Sequence, residues 1–233
     1  MKALNSMKAL NSMKALDSMK AMTQRSRVTF SSGVAISLAT WLMASPAFAH
    51  HPLDGKLPSN FFEGFMSGMG HPVIGLDHLA FVIAVGLVAV NRAWGWLVSM
   101  VFVVGSMVGT GIHLQALDLP LPEVMISLSV VIVGALVAWG RKVNLLVLGA
   151  IAVVAGIFHG YAYGESVVGA EITPLLAYLL GFGLIQAAIA LGARAIAQKL
   201  SPDQPENLAL KLRFMGFAIT GFGAAFLASA VLG

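Results

Sequence analysis

Residues 71–90 read HPVIGLDHLAFVIAVGLVAV, an apolar run of nearly membrane length that opens with two histidines and an aspartate. An ionised group at the centre of a transmembrane helix costs roughly 2.5 kcal/mol or more, so polar groups kept there usually serve a function. Pro72 and Gly75 lie between them, and proline disfavours a helical conformation at the preceding residue. We therefore expect a separate helix over 60–70, ending at His71, and a broken helix at the outer membrane face.

The composition places the chain among membrane proteins. Of its 233 residues, 58% are hydrophobic and only 10% are charged, which excludes an ordinary soluble domain. Six apolar segments are each near the ~20 residues needed to cross the hydrocarbon core, and short connections join them. We predict an all-α polytopic membrane protein, a bundle of six transmembrane helices. The expected spans are 73–90, 94–114, 122–139, 143–163, 172–197 and 208–232.

The N-terminus resembles a secretory signal. A repeated Met-Lys-Ala leader and basic residues precede an apolar run over about 34–43, which ends in Ala47-Phe48-Ala49. A basic region, a short apolar core and an A-x-A end are typical of a cleaved signal peptide. The alternative is an uncleaved seventh span, for which the apolar run is short. Cleavage after Ala49 gives a signal peptide with its leader over 1–49, a periplasm-facing segment over 50–72 and the transmembrane domain over 73–233.

The charges predict the orientation. With the mature N-terminus outside, the inner loops hold seven Lys or Arg residues and the outer side of the mature chain holds only Lys56. Positive charge favours the cytoplasmic side, so we expect a bacterial inner-membrane protein with its mature N-terminus outside. Because the basic residues are spread along short loops, we expect contact with membrane lipid and not with nucleic acid. All six histidines then lie at the outer side, as in a vestibule that collects a cation.

The polar residues at that side fit a transition-metal ion. The chain has no cysteine, and imidazole with carboxylate suits borderline divalent metals. The expected ligands are His71, Asp77 and His78, joined by His50, whose α-amine cleavage would free. Asp77 has an alternative role as a cap for free helix amides, and Glu123 could simply interact with a helix dipole. Further contributions are expected from His51, His113, Glu123, His159 and Glu165.

Other polar residues lie within the expected spans. In the second span four of them recur at spacings of 7, 4 and 3, along one helical face, which makes a candidate ion path. The alternative is that these hydroxyls bond to their own helix. We assign the tyrosines near the end of the fourth span, Tyr163 included, to an interfacial aromatic belt. The four residues of the face are Ser99, Ser106, Thr110 and His113.

The motif His-Pro-x-x-Gly-x-Asp-His at 71–78 resembles the HupE/UreJ family of bacterial nickel or cobalt permeases. Supporting matches cover nearly all of the mature chain. The chain departs from the family pattern at Tyr163, where a second histidine is expected, and in the fifth span, which has Gln186 and no histidine. The supporting matches are Ala49-His50, Gly64-Phe65-x-x-Gly68, Glu123-x-x-Ile126-x-x-Ser129-Val130, Phe158-His159-Gly160 and Gly164-Glu165.

The resemblance implies a six-span permease, not an enzyme, in which His71, Asp77 and His78 are essential. Its transported substrate would be Ni²⁺, with Co²⁺ or copper as alternatives, and no organic cofactor is expected. The metal would supply hydrogenase or urease maturation. Two functions from other classes stay open from the residues alone. One is an intramembrane metal-dependent hydrolase that activates water on zinc, and the other is a periplasm-facing metal sensor or chaperone without conduction.

Overall fold

A computed structural model describes residues 2–43, 56–90, 92–200 and 205–232. All regular elements of the described residues are α-helices, except for one short 3₁₀ helix over Glu165–Val167. In chain order the helices are α1 (Lys2–Met43), α2 (Phe61–Ile74), α3 (Leu76–Val88), α4 (Trp96–Leu114), α5 (Pro122–Trp139), α6 (Leu145–Gly164), α7 (Ile172–Lys199) and α8 (Pro205–Leu232). The expected all-α membrane fold is confirmed.

The short helix α3 lies at the centre of the bundle. It packs against α5, α7 and α8, with α2 and α4 also in contact. Its side chains Phe81, Val82 and Ala84 are completely buried. Thirteen residues are too few to cross a bilayer, and α3 has an almost wholly apolar surface because protein covers it on several sides. His78 and the middle of α3 from Phe81 onward are therefore buried inside the protein, whereas Leu76 at the start of the helix is exposed.

Glycines bring the paired helices into backbone contact. A Cβ atom at Gly160 of α6 would lie 1.8 Å from the carbonyl oxygen of Ser106 on α4, and one at Gly68 of α2 would lie 2.2 Å from that of Tyr178 on α7. Small residues allow this approach, which is how helices commonly associate in lipid. The pairs α4–α6 and α2–α7 thus fix the positions of the side chains that they carry.

The chain bends at Gly75, by 80° between α2 and α3. The expectation that the helix would end before Pro72 was wrong, since α2 continues to Ile74 and contains both His71 and Pro72. Proline costs little there, because in the last turn it removes a single backbone hydrogen bond. The helix ends where the N–H of Gly75 donates to the carbonyl of His71 at 3.1 Å and the backbone of Gly75 turns extended.

The helices α2 and α3, which flank the bend, both run along α7 in the same direction. Gly64 and Gly68 of α2 lie against Pro174 and Tyr178, and Gly86 of α3 lies against Ala190. Five described helices, α4 to α8, are long and apolar enough to cross a membrane, and the bent pair makes a sixth if it counts as one span. The side of the membrane on which the bend lies stays a prediction.

The first helix packs on the last. Ser37 donates to the carbonyl oxygen of Phe217 at 2.6 Å, and Thr40 contacts that of Ala218 at 3.1 Å. Residues 44–55 lie outside the described residues, and with them the expected cleavage site, which is also the border between the first two expected regions at Ala49 and His50. The signal peptide and the domain borders therefore stay predictions.

Candidate metal centre

Three histidines from three helices meet at one end of the bundle. His71 lies near the end of α2, His78 in the first turn of α3 and His159 in the second-to-last turn of α6. The ring centroids of His71 and His78 are 6.0 Å apart, and those of His78 and His159 are 4.9 Å apart. His159 is fully buried and His78 is 7% exposed. The fold thus brings together residues that are up to 88 positions apart in the sequence.

A hydrogen-bond chain determines how His78 presents its ring. Ser129 of α5 donates its one hydrogen to the carbonyl oxygen of Ile126 at 2.6 Å, so its oxygen accepts the Nε2–H of His159 at 3.0 Å. The Nδ1 atom of His159 is then an acceptor, and the Nδ1–H of His78 donates to it at 2.8 Å. These directions assign the lone pair of His78 to Nε2, the nitrogen that can bind a metal.

His71 is oriented by a second set of hydrogen bonds. Its Nδ1 atom lies 2.8 Å from the hydroxyl oxygen of Tyr178 and 2.9 Å from that of Ser166. Tyr178 gives its own hydrogen to the backbone oxygen of Tyr163 at 2.9 Å, so its oxygen accepts the proton of His71. The lone pair of His71 is accordingly on Nε2, as in His78. Hydrogen bonds at the other ring nitrogen are the usual way in which proteins orient metal-binding imidazoles.

Asp77 serves partly as a cap. Its Oδ1 atom accepts the backbone N–H of His78 at 2.8 Å, in the first turn of α3. Within the described residues its Oδ2 atom accepts no hydrogen bond. The capping role expected as an alternative is therefore present, and it uses one of the two carboxylate oxygens.

The other expected site residues lie apart from this cluster or outside the described chain. His113 ends α4 and packs on the ring of Tyr161 at a centroid distance of 4.3 Å. Glu123 in the first turn of α5 and Glu165 after α6 are both exposed. His50 and His51 lie outside the described residues, so their role as ligands stays a prediction.

The hydrogen-bond directions put a lone pair on the Nε2 atom of His71 and on that of His78. In the described part of the chain no group of three or more His, Cys, Asp or Glu side chains is close enough to hold a metal ion. Two imidazoles 6.0 Å apart can still share one ion, because metal–imidazole bonds are about 2 Å long.

Several residues of the centre had weak signals or none in the sequence. Tyr163 is fully buried beside both histidines, with its ring centroid 4.6 Å from that of His78 and 5.0 Å from that of His71. Its assignment to an interfacial belt was therefore wrong. Ser129 and Tyr178 look like ordinary span residues until the helices are packed. Tyr163 had two weak signals in the sequence: it lies one helical turn after His159, and it stands where the family pattern has a second histidine.

Hydroxyls on the polar face of α4 form hydrogen bonds within α4 and with the neighbouring helix α6. Thr110 donates to the backbone oxygen of Gly160 at 2.8 Å, and Ser106 donates to that of Val103 at 2.8 Å. Ser106 also lies 3.4 Å from the amide nitrogen of Gln186, which is fully buried on α7. The hydroxyls thus bond to backbone, as the alternative interpretation held, and Ser99 is buried with no partner for its hydroxyl in the described chain.

Comparisons with known proteins identify the family of the chain. A family model described as HupE / UreJ protein matches residues 38–226. Protein HupE of Rhizobium leguminosarum bv. viciae is 27% identical over 179 residues, which is 72% of this chain and 90% of that protein. No solved structure matches the chain. The family match includes α2 to α7 whole and with them every described residue of the histidine cluster, and on this match the chain belongs to the HupE/UreJ family.

Proposed function

We propose that this protein is a permease that carries Ni²⁺ across the bacterial inner membrane, with His71 and His78 as its first binding site in the membrane. Membership of the HupE/UreJ family supports nickel or cobalt transport in general, and the apolar helices make the chain a bacterial membrane protein. The family is one of transporters and not of enzymes. The choice of nickel, the site and the inner membrane are parts of our proposal.

The observation that carries the proposal is the shared orientation of two imidazoles. Separate hydrogen-bond sets place the lone pairs of His71 and His78 on Nε2, and the rings lie 6.0 Å apart beside a break between two helices. Irregular backbone at membrane depth is tolerated where it lines a cavity or is buried in protein. Imidazole nitrogen is a preferred ligand of Ni²⁺.

The expected course of transport follows from the placement of polar groups. The exported His50 and Asp77 would capture the ion at the surface and pass it to the imidazole pair. Towards the cytoplasm the ion would pass the buried amide of Gln186 and the hydroxyl of Ser99, which has no hydrogen-bond partner among the described residues. The inner halves of the spans contain no Asp or Glu, and a buried proton relay usually needs such groups. We therefore propose facilitated diffusion, with hydrogenase or urease maturation as the user of the metal.

The test is Ni²⁺ accumulation by cells at low external metal concentration, normalised to protein in the membrane. His71→Ala, Asp77→Ala and His78→Ala should each abolish uptake. The two histidine variants remove an imidazole of the pair, and Asp77→Ala removes the carboxylate that we propose captures the ion before it reaches the pair. Glu206→Ala, at the other end of the bundle, is the matched control and should transport normally. Uptake near the wild-type rate in His78→Ala would overturn the proposed site. Co²⁺, Zn²⁺ and Cu²⁺ as competitors would rank the metals.

A further inference from the structure

Among the described residues of the centre, Tyr163 is the buried side chain whose polar atom makes no hydrogen bond. The residue is 0% exposed, and its hydroxyl finds no hydrogen-bond partner among the described residues. A buried hydroxyl without a partner is unfavourable, since it has lost its bonds to water. Such groups are rare in native proteins and call for an explanation, such as an ion that the hydroxyl meets.

The surroundings of Tyr163 show which ion this would be. Its ring contacts both imidazoles, at centroid distances of 5.0 Å from His71 and 4.6 Å from His78, so the three rings form a triangle. Its other ring neighbour is the apolar Phe182, at 5.5 Å. Its own backbone oxygen accepts the hydrogen of Tyr178, the residue that orients His71. The phenol is therefore held by the same contacts that position the histidines.

Within the described residues, the imidazole pair has no third ligand among the usual metal-binding side chains. No third His, Cys, Asp or Glu of the described chain completes a metal site with it, and His159 uses both of its ring nitrogens in hydrogen bonds. We infer that the hydroxyl oxygen of Tyr163 is the third protein donor to a divalent transition-metal ion bound by His71 and His78. This inference rests on the proposed function. It adds an oxygen donor to a site that otherwise has two imidazole nitrogens. A phenol oxygen is a harder donor than imidazole and tilts the site away from soft metals such as Cu(I).

Replacing Tyr163 by phenylalanine should affect metal binding and stability differently. Tyr163→Phe removes only the hydroxyl and keeps the ring, so the metal-free protein should unfold at the same temperature as the wild type or a higher one. The affinity of the same variant for Ni²⁺ should fall by about tenfold or more, the lower end of what changes around a metal site cost. A residue that serves packing alone would not give this combination.

Tyr161→Phe is the matched control. Tyr161 lies two residues away on α6, and its hydroxyl already donates to Asp118 at 3.3 Å. Its ring packs on His113 and not on the imidazole pair. This variant should bind Ni²⁺ as the wild type does.

The experiment uses the full chain purified in detergent, with Ni²⁺ alone as the probe. Calorimetric titration gives the dissociation constant, and thermal unfolding without metal gives the stability. Because the chain has three tyrosines, the change in tyrosine ultraviolet absorbance on adding Ni²⁺ can be assigned. We expect a change in the wild type and in Tyr161→Phe, and none in Tyr163→Phe.

Three results would overturn the inference. If Tyr163→Phe binds Ni²⁺ like the wild type while His78→Ala does not, the inference is wrong and the proposed function stands. Equal losses in Tyr163→Phe and Tyr161→Phe would show a general effect of the aromatic substitutions and would also reject it. A wild-type protein that binds no Ni²⁺ would remove both the inference and the proposed function.

Discussion

At the scale of single residues, the sequence predicts a binding site where ionisable residues occur within an apolar run. It does not predict which other side chains form hydrogen bonds with them. His71, Asp77 and His78 stand out because ionisable groups in a span are rare. Ser129 and Tyr178 do not, because hydroxyls and aromatic rings are common in spans and usually serve packing. Their roles depend on which helices become neighbours, and that follows from packing between distant segments.

The hydrogen-bond chain makes His159 a positioning residue. Replacing it in His159→Ala removes the acceptor for Nδ1–H of His78, so the ring is free to turn and the proton to change nitrogen. We expect the affinity for Ni²⁺ to fall about 10–100-fold, as for other outer-sphere partners of metal ligands. Titration of the purified variant measures this.

His113→Ala is the control for that variant, since His113 contacts Tyr161 and not the cluster. It should keep its affinity for Ni²⁺. An unchanged dissociation constant in His159→Ala would contradict the orienting role of the His78–His159 hydrogen bond.

At the scale of elements, the sequence predicts the bounds of the membrane spans well, but it predicts the position of the helix break poorly. Five of the expected spans correspond to α4 to α8 within a few residues, because a run of about 20 apolar residues has few alternative structures. The break after α2 lies three residues later than proline alone indicates. Proline weakens one backbone bond, whereas the place where a helix ends also depends on the contacts of α2 with α7.

The close packing of α2 on α7 should be essential to the centre. In Gly68→Ala the new Cβ would lie 2.2 Å from the backbone oxygen of Tyr178, so the helices must separate and His71 loses its hydrogen bond to Tyr178. We expect a loss of about 1–3 kcal/mol in the free energy of unfolding, as in other overpacked cores, together with weaker Ni²⁺ binding.

The control is Gly111→Ala on α4, where a Cβ would have no heavy atom within 4 Å. Thermal unfolding and Ni²⁺ titration of both variants make the comparison. Equal behaviour of Gly68→Ala and Gly111→Ala would show that the approach of α2 to α7 does not hold the site.

At the scale of the whole molecule, topology explains why histidines collect at one end. The helices α4 and α6 run parallel and end together, and α3 and α7 begin at that same end. The sequence predicts this clustering once the spans alternate in direction. It cannot predict the distances, because these follow from glycine contacts between helices far apart in the chain.

The orientation of the bundle can be measured directly, because the chain has no cysteine. A single cysteine in Asp118→Cys should react with a membrane-impermeant thiol reagent added outside intact cells. A cysteine in Lys142→Cys should react only after the membrane is opened, since seven basic residues place its side in the cytoplasm. The reverse labelling pattern would invert the predicted topology.

We propose that a metal ion crosses the membrane through the imidazole pair of His71 and His78. The most direct test of this proposal is the flux of radioactive Ni²⁺ into proteoliposomes that contain the purified protein alone, driven only by a concentration gradient. We predict flux that saturates with Ni²⁺ in the wild type and flux no greater than that of empty liposomes in His78→Ala. Binding without flux in the wild type, or undiminished flux in His78→Ala, would contradict the account.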